Sequence, residues 1–318
     1  MSASSSPVSV LVDNELPLSA AGKSRVPQEQ PLRHWYAGIE LKYEFRREKT
    51  VLVKKQHVGP LHVQRPFYPE KGDCCHTYLL HPPGGLVVGD HVEVRAHIGE
   101  RCATLLTTPS AGKVYRAKGV PHADKLPQRQ TIALRVDADA VCEWLPQETI
   151  IFNGANAQLH TRIDLNATAK FIGWDVVRLG RAASGELFDQ GNVEQKLELW
   201  RDGRLQFMEK NCFAATDDFQ TSLWGLQQQN TFGTMIATTI FSRDQIDVIL
   251  EQLDELEDKD VSIQTKKHWA LTQKADIFIA RYLGSSIIAC KAGYGILWDE
   301  VRKNMLEKEA VTPRIWNT

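Results

Sequence analysis

The 318 residues carry 38 Lys+Arg against 39 Asp+Glu, a formal net charge of −1, without the basic excess that a dedicated nucleic-acid binder needs to neutralise phosphates. Hydrophobic residues make up 42% and charged ones 24%, the balance of an ordinary globular chain and not of an acidic disordered one. No run of about 18 apolar residues occurs, so no membrane-spanning helix is expected.

Residues 1–34 are rich in Ser, Pro and Ala without periodicity, and are expected to form a disordered leader ahead of one β-rich domain over 35–318. The apolar stretch at 8–12 is too short for a signal-peptide core. The chain is therefore expected in the cytoplasm, with Cys74, Cys75, Cys102, Cys142, Cys212 and Cys290 reduced. From residue 37 to about 241 short strands dominate. They are expected near 41–46, 50–55, 58–63, 77–81, 92–97, 103–108, 131–136, 141–144, 159–165, 171–179, 196–200 and 205–209, where β-branched and aromatic residues alternate or run together between Gly, Pro, Asp and Asn. Asp202-Gly203 predicts a type I′ hairpin, whose two central residues need positive φ. No long amphipathic helix interrupts this stretch, which argues for an all-β body and not an alternating βαβ sheet.

The last third differs. Ser242 is placed to cap a helix near 243–257 with Ile246, Ile249, Leu250, Leu253 and Leu256 on its apolar face. Its acidic end, 251–260, reads as a solvated face rather than a metal site. A strand is expected over 276–283. A second helix is expected near 294–308, with Ile296, Leu297, Val301, Met305 and Leu306 inward, ending before Pro313. No repeat of 20–50 residues is visible, though a coiled stack of short strands can hide one.

Common catalytic patterns fail letter by letter. Ser110-Ala111-Gly112-Lys113 lacks the earlier glycine and the following hydroxyl of a phosphate loop, because Thr107 and Val114 stand there. Gly293 and Gly295 precede a helix, but Trp298 occupies the third position of the dinucleotide fingerprint. Neither G-x-S-x-G nor H-E-x-x-H occurs. Cys74-Cys75-His76, with His81 beyond, is the most metal-like cluster. It lacks the spacing of a structural zinc site, and on a strand Cys75 and His76 point to opposite faces. Buried cysteines packed as small hydrophobes are the commoner outcome.

An ordered set of short stretches resembles one family. It comprises Gln56-His57-Val58-Gly59-Pro60, Arg65-Pro66-Phe67-Tyr68-Pro69-Glu70, Tyr78-Leu79-Leu80-His81-Pro82-Pro83-Gly84-Gly85, Gly89-Asp90, Leu105-Leu106-Thr107-Thr108-Pro109, Lys113 with Tyr115-Arg116, Glu143-Trp144-Leu145-Pro146-Gln147-Glu148, Gly173-Trp174-Asp175, Leu179-Gly180-Arg181, Ser184-Gly185-Glu186 and Pro313-Arg314-Ile315-Trp316. In colinear order over about 40–318, these resemble the urease accessory protein UreD family, also called UreH.

The resemblance implies a mainly β fold, a coiled stack of short strands like a β-helix, with two α-helices in the C-terminal third. It implies a non-enzymatic nickel metallochaperone scaffold with no tightly bound cofactor. Such a scaffold binds apo-urease, joins UreF and, through UreF, the GTPase UreG, in an accessory complex holding two copies. The assembly delivers Ni²⁺, with CO₂ for the bridging lysine carbamate, by an internal hydrated passage. Asp90, Asp175 and Glu209 match acidic positions tied to that route, and His91 stands where a further acid would fit. The chain departs from the family pattern at Val88, where glycine is expected, at Gly112, where a small hydroxyl is expected, and at Val114, where an aromatic is expected.

Carboxylates and imidazoles suit transient passage, since a thiolate cage would hold nickel too firmly. Asp175 lies among Phe171, Ile172, Trp174, Val176 and Val177, and Glu209 follows Leu205, Phe207 and Met208, so both are expected inside. A carboxylate there must be paired, hydrated or metal-bound. The structural alternative is an ion pair, for example Asp175 with Arg178 or Arg181. The alternative function is a hydrolase using Asp175 or Glu209 with a histidine.

Overall fold

The computed structural model describes residues 35–70, 72, 74–116, 126–258 and 268–317. The expected leader over 1–34 and the last residues of the acidic run lie outside the described residues.

In chain order the elements are β1 (Trp35–Arg46), β2 (Lys49–Val58), β3 (His62–Val63), β4 (Cys75–Leu80), β5 (Asp90–Ile98), β6 (Ala103–Thr107), β7 (Gly112–Val114), β8 (Gln128–Val136), β9 (Val141–Leu145), β10 (Thr149–Ile151), β11 (Ala155–Leu165), β12 (Lys170–Leu179), β13 (Gly191–Arg201), β14 (Arg204–Ala214), β15 (Thr231–Ala237), α1 (Arg243–Asp258), β16 (Trp269–Lys274), β17 (Ile277–Gly284) and α2 (Ile287–Leu306). Among the described residues the protein is mainly β with two α-helices. The expected strands have counterparts, usually longer by a few residues, except that 58–63 is reduced to the two residues of β3 because Gly59 (φ 71°) and Pro60 turn the chain. The short β7 and β10, and the whole of β15 and β16, add to them.

The strands form two sheets. One has the order β14-β13-β11-β8-β5-β1-β2; the other runs β16-β17-β15-β12-β9-β6-β4-β3, with β10 and β7 attached beside β12. Neighbours β1, β5, β8, β11 and β13 are parallel, and so are β4, β6, β9 and β12. From β4 to β13 the chain passes back and forth between the sheets, with β7 and β10 as short extra strands on the second. The ends of β4, β6, β9 and β12 therefore lie at one edge, where the chain turns over into β5, β8, β11 and β13. Antiparallel hairpins close the first sheet at both ends, β1–β2 and β13–β14. Asp202 (φ 48°) and Gly203 (φ 72°) both adopt positive φ at the second of these, the type I′ geometry that their sequence predicts.

Burial follows from layering. The first sheet has one solvated face, and β11 alternates buried positions with half-buried or, at Arg162, exposed ones. The second sheet is the middle layer, with the first sheet on one face and both helices on the other. Its central strands are buried on both faces: β15 is buried at every residue, and β12 at all but Lys170, Asp175 and Arg178. This is why β15, Thr-Phe-Gly-Thr-Met-Ile-Ala, shows no alternation and escapes detection from sequence.

Two apolar cores result. Leu41, Val94, Ile132 and Ile163 of the first sheet meet Leu106, Phe171, Val177 and Leu179 of the second. On the other side Ile172, Trp174, Met235 and Phe278 pack against Ile249 and Leu253 of α1 and Tyr294, Leu297, Trp298 and Val301 of α2. Fully burying one such aliphatic side chain is worth about 1.5–3 kcal/mol.

Both helices start as their caps dictate. Ser242 and Gln245 form a capping box: Gln245 N–H donates to Ser242 Oγ at 3.2 Å, and Ser242 N–H to Gln245 Oε1 at 2.9 Å. Ser286 Oγ accepts from Ala289 N–H, so α2 begins at Ile287 rather than near residue 294. Gly293 and Gly295 sit inside the helix. A Cβ at Gly293 would lie 2.1 Å from the Trp269 ring, so close packing there requires glycine. No described helix is long and apolar enough to cross a membrane.

The C-terminal tail docks on the body of the same chain. Trp316 donates from Nε1 to Thr107 Oγ1 at 2.8 Å, and its ring lies 6.1 Å from Trp174 and 5.7 Å from Trp298. Deleting residues 313–318 is expected to cost about 2 kcal/mol, less than a fully buried Trp→Ala because Trp316 is only half-buried. Thermal melting of the truncated chain checks this. An unchanged midpoint would show the tail to be dispensable.

Candidate functional site: an inter-sheet cavity and a buried charge cluster

Strand parity decides where Asp175 points. On β12, Ile172, Trp174 and Val176 face the helices, while Phe171, Val177 and Leu179 face the other sheet. Asp175 shares the second parity and lines a cavity of about 400 Å³ between the sheets. Val92, Val94, Gln130, Ile132, Leu159 and Gln195 contribute from the first sheet, and Leu79, Trp144 and Val177 from the second. Pro82, Gly84 and Ser110, exposed on the turns, place its mouth at the edge where the chain passes between the sheets.

Desolvation raises the Asp175 carboxyl to about 6. The Thr161 hydroxyl opposes the rise, and the Glu209 carboxylate adds a smaller increment. The Trp144 indole N–H also favours the carboxylate, though it closes no hydrogen bond of normal geometry among the described residues. Among the described residues Asp175 is in no ion pair. Arg178 reaches the Ser285 carbonyl and Arg181 pairs with Glu186, so neither partner of the structural alternative is used.

The other three expected residues sit differently. Asp90 is buried at the start of β5, where its carboxylate accepts the Val87 N–H at 2.8 Å; burial raises its pKa. Glu209 faces inward from β14 but is engaged: Arg281 Nε donates to it at 2.8 Å and Thr234 Oγ1 at 2.7 Å. Its neighbours are less buried than their hydrophobicity predicts, with Leu205 at 43% and Met208 at 52% exposure, because β14 is an edge strand. His91, one residue after Asp90, points to the outer face, where Nε2 lies 3.0 Å from Thr131 Oγ1 and the ring meets Tyr36 edge-on. Burial lowers its pKa.

The cysteine–histidine stretch divides between the two cores. Cys75 packs in the inter-sheet core and Cys74 in the helix-side core. His81 lines the cavity, and burial lowers its pKa. His76 belongs to a buried charge cluster that sequence reading does not assemble. Its Nε2 lies 2.6 Å from Glu70 Oε1; the other Glu70 oxygen accepts from Arg302, which also stands 3.6 Å from Glu143. Glu143 in turn accepts from Trp298 Nε1 at 2.6 Å. Arg302 and Glu143 are each 1% exposed.

Against the desolvation that opposes it, hydrogen bonds from His76 and Arg302 pull the Glu70 carboxyl down to about 2. Burial pushes Glu143 up, with Arg302 countering. Donor atoms of Glu70, Cys74 and His76 lie within 4.8 Å of one another, a spacing that could hold a metal ion. The chemistry argues otherwise. Burial, then the charges of Glu143 and Glu70, push the Cys74 thiol well above its usual range, and Arg302 already supplies the cation for both carboxylates. Glu70 and Arg302 are 232 positions apart, so no local pattern announces the pair.

The UreD urease accessory protein family model matches residues 36–317. The urease accessory protein UreD of Saccharophagus degradans is 47% identical over 288 residues, covering 91% of this chain and 95% of the relative. That of Dechloromonas aromatica is 38% identical, covering 93% and 99%. The urease accessory protein UreD 2 of Brucella anthropi is 34% identical, covering 89% and 98%. With nearly every described element inside the match and relatives aligned almost end to end, the chain belongs to the UreD family of urease accessory proteins.

Proposed function

We propose that this chain is a nickel metallochaperone scaffold that works in the cytoplasm. In this reading it binds apo-urease, joins UreF and through it the GTPase UreG, and is present in two copies in the accessory complex. Ni²⁺ is cargo, held weakly on its way to urease. As a urease accessory protein the chain is not itself an enzyme, and the hydrolase alternative has no support.

One observation carries the reading: the inter-sheet cavity with Asp175 on its wall, a carboxyl near 6 that no cation neutralises among the described residues. A carboxylate ligand exchanges faster than thiolate and competes with protons close to neutral pH, which suits a group that must hold nickel and release it. We read the alternation of strands between the sheets as coils of a superhelix, and the cavity as part of a hydrated passage along its interior. Asp90 and Glu209 flank that interior. For Glu209 to take nickel it would first have to leave Arg281. His91 would act apart from them, on the outer face.

Co-expression of urease subunits with all accessory proteins, with and without this chain, tests the assignment. Omitting the chain is expected to leave urease assembled but essentially nickel-free by metal analysis. Full nickel loading without it would overturn the assignment.

A further inference from the structure

The loop between β14 and β15 carries an apolar knob that the fold does not absorb. Trp224 is 96% exposed and Leu223 77%, whereas every other tryptophan is buried or half-buried. The loop beneath is firmly built. Ser222 N–H donates to Asp218 O at 2.8 Å, Leu226 N–H to Phe219 O at 2.8 Å and Gln228 N–H to Gln220 O at 2.7 Å. Leu226 is buried, and Phe219 stacks on Phe213 at 4.8 Å. A Cβ at position 225 would fall 1.8 Å from Phe219 O, so only glycine closes the turn. Gln227 and Gln228 both sit at positive φ, 51° and 67°, a conformation that non-glycine residues hold only where their surroundings impose it. The Gln220 amide donates to Ala215 O and to Phe188 O, tying the loop to a segment that leaves Leu187 70% exposed. Leu223 and Trp224 thus stand on a pre-ordered loop, with Leu187 exposed on the segment that loop is tied to, an arrangement that lowers the entropic cost of association.

Position and charge narrow the occupant. Ala214 pairs with Asn192, and Thr231 with Arg178, so the knob lies at the edge where β12 ends and β13 begins. The cavity mouth is at the same edge. Between residues 215 and 230 the only charged side chains are Asp217 and Asp218.

We propose that Leu187, Leu223 and Trp224 form the anchor by which the chain docks on apo-urease, through an apolar slot rimmed by Lys or Arg on the urease surface. This rests on the reading that the chain serves urease maturation; it adds which surface meets the recipient and sets that contact beside the cavity mouth. A buried tryptophan surrounded by water-excluding contacts is the usual form of an interface hot spot.

The test uses the full chain in complex with UreF, titrated onto apo-urease by biolayer interferometry. Trp224→Ala is expected to weaken binding about 30-fold or more, the usual size for a hot spot. Trp224→Phe should recover part of the loss, and Asp218→Lys should weaken binding several-fold with a reduced salt dependence. An exposed side chain contributes little to folding, so the melting temperature of Trp224→Ala should stay near wild type. Binding within twofold of wild type for Trp224→Ala would overturn the proposal. So would a change confined to self-association in sedimentation, which would assign the knob to a second copy of this chain. If the wild-type complex itself fails to bind apo-urease or to support nickel loading, the underlying maturation reading fails instead.

Discussion

Replacing Asp175 by Asn is expected to leave the chain at least as stable as wild type near neutral pH while stripping most nickel from the urease matured with it. The carboxyl at about 6 lies above its usual 3.8, so the folded state holds the proton more tightly than the unfolded one. That contribution to stability is complete below about 3.8 and is lost as pH rises through about 6. Near neutral pH the ionised carboxylate costs up to about 3 kcal/mol, an upper bound because its remaining surface faces the cavity. Asn keeps the shape and removes the charge. Since no cation is paired with Asp175 among the described residues, nothing is stranded by the change. Melting curves at about pH 7.5 and pH 4 should show a gain at the first that disappears at the second. Partner binding should be normal and urease nickel content low. A stable, partner-binding variant that still yields fully loaded urease would remove Asp175 from the route.

Arg302→Met should have the opposite character, a large loss of stability with no direct role in transport. The substitution leaves Glu70 and Glu143 buried without their shared cation, at a cost of about 3–5 kcal/mol. It should also change the acid limb. Glu70 is held at about 2, so it stabilises the fold above its ordinary pKa and loses that contribution as pH falls towards 2. Without Arg302 part of that contribution is gone, and acid unfolding should become shallower. Adding Glu143→Gln should recover part of the loss, because one uncompensated charge is then removed; the double-mutant cycle measures the coupling. Additive losses from the two single changes would show that Arg302 and Glu143 do not interact.

Much of the architecture follows from local sequence. Period-2 alternation marks the strands of the first sheet because one of its faces meets water. Asp202-Gly203 fixes its hairpin through the φ values that the turn demands. Ser242 starts α1 because its hydroxyl satisfies an otherwise orphaned N–H. The family, too, is legible in ordered motifs that no single element contains. Tertiary structure decided the rest. β15 is hidden in the sequence because a strand covered on both faces needs no alternation. Asp90 and His91, adjacent in sequence, are parted by strand parity, one to the interior and the other to the outer face. Asp175 is free of Arg178 and Arg181 because those side chains are claimed elsewhere. Glu209, like Asp175 expected inside, is paired with Arg281 of β17, which belongs to the other sheet. The cluster of Glu70, His76, Glu143 and Arg302 exists only once α2 has packed on the second sheet. Its charges are far apart in the chain, and burial alone makes their pairing obligatory.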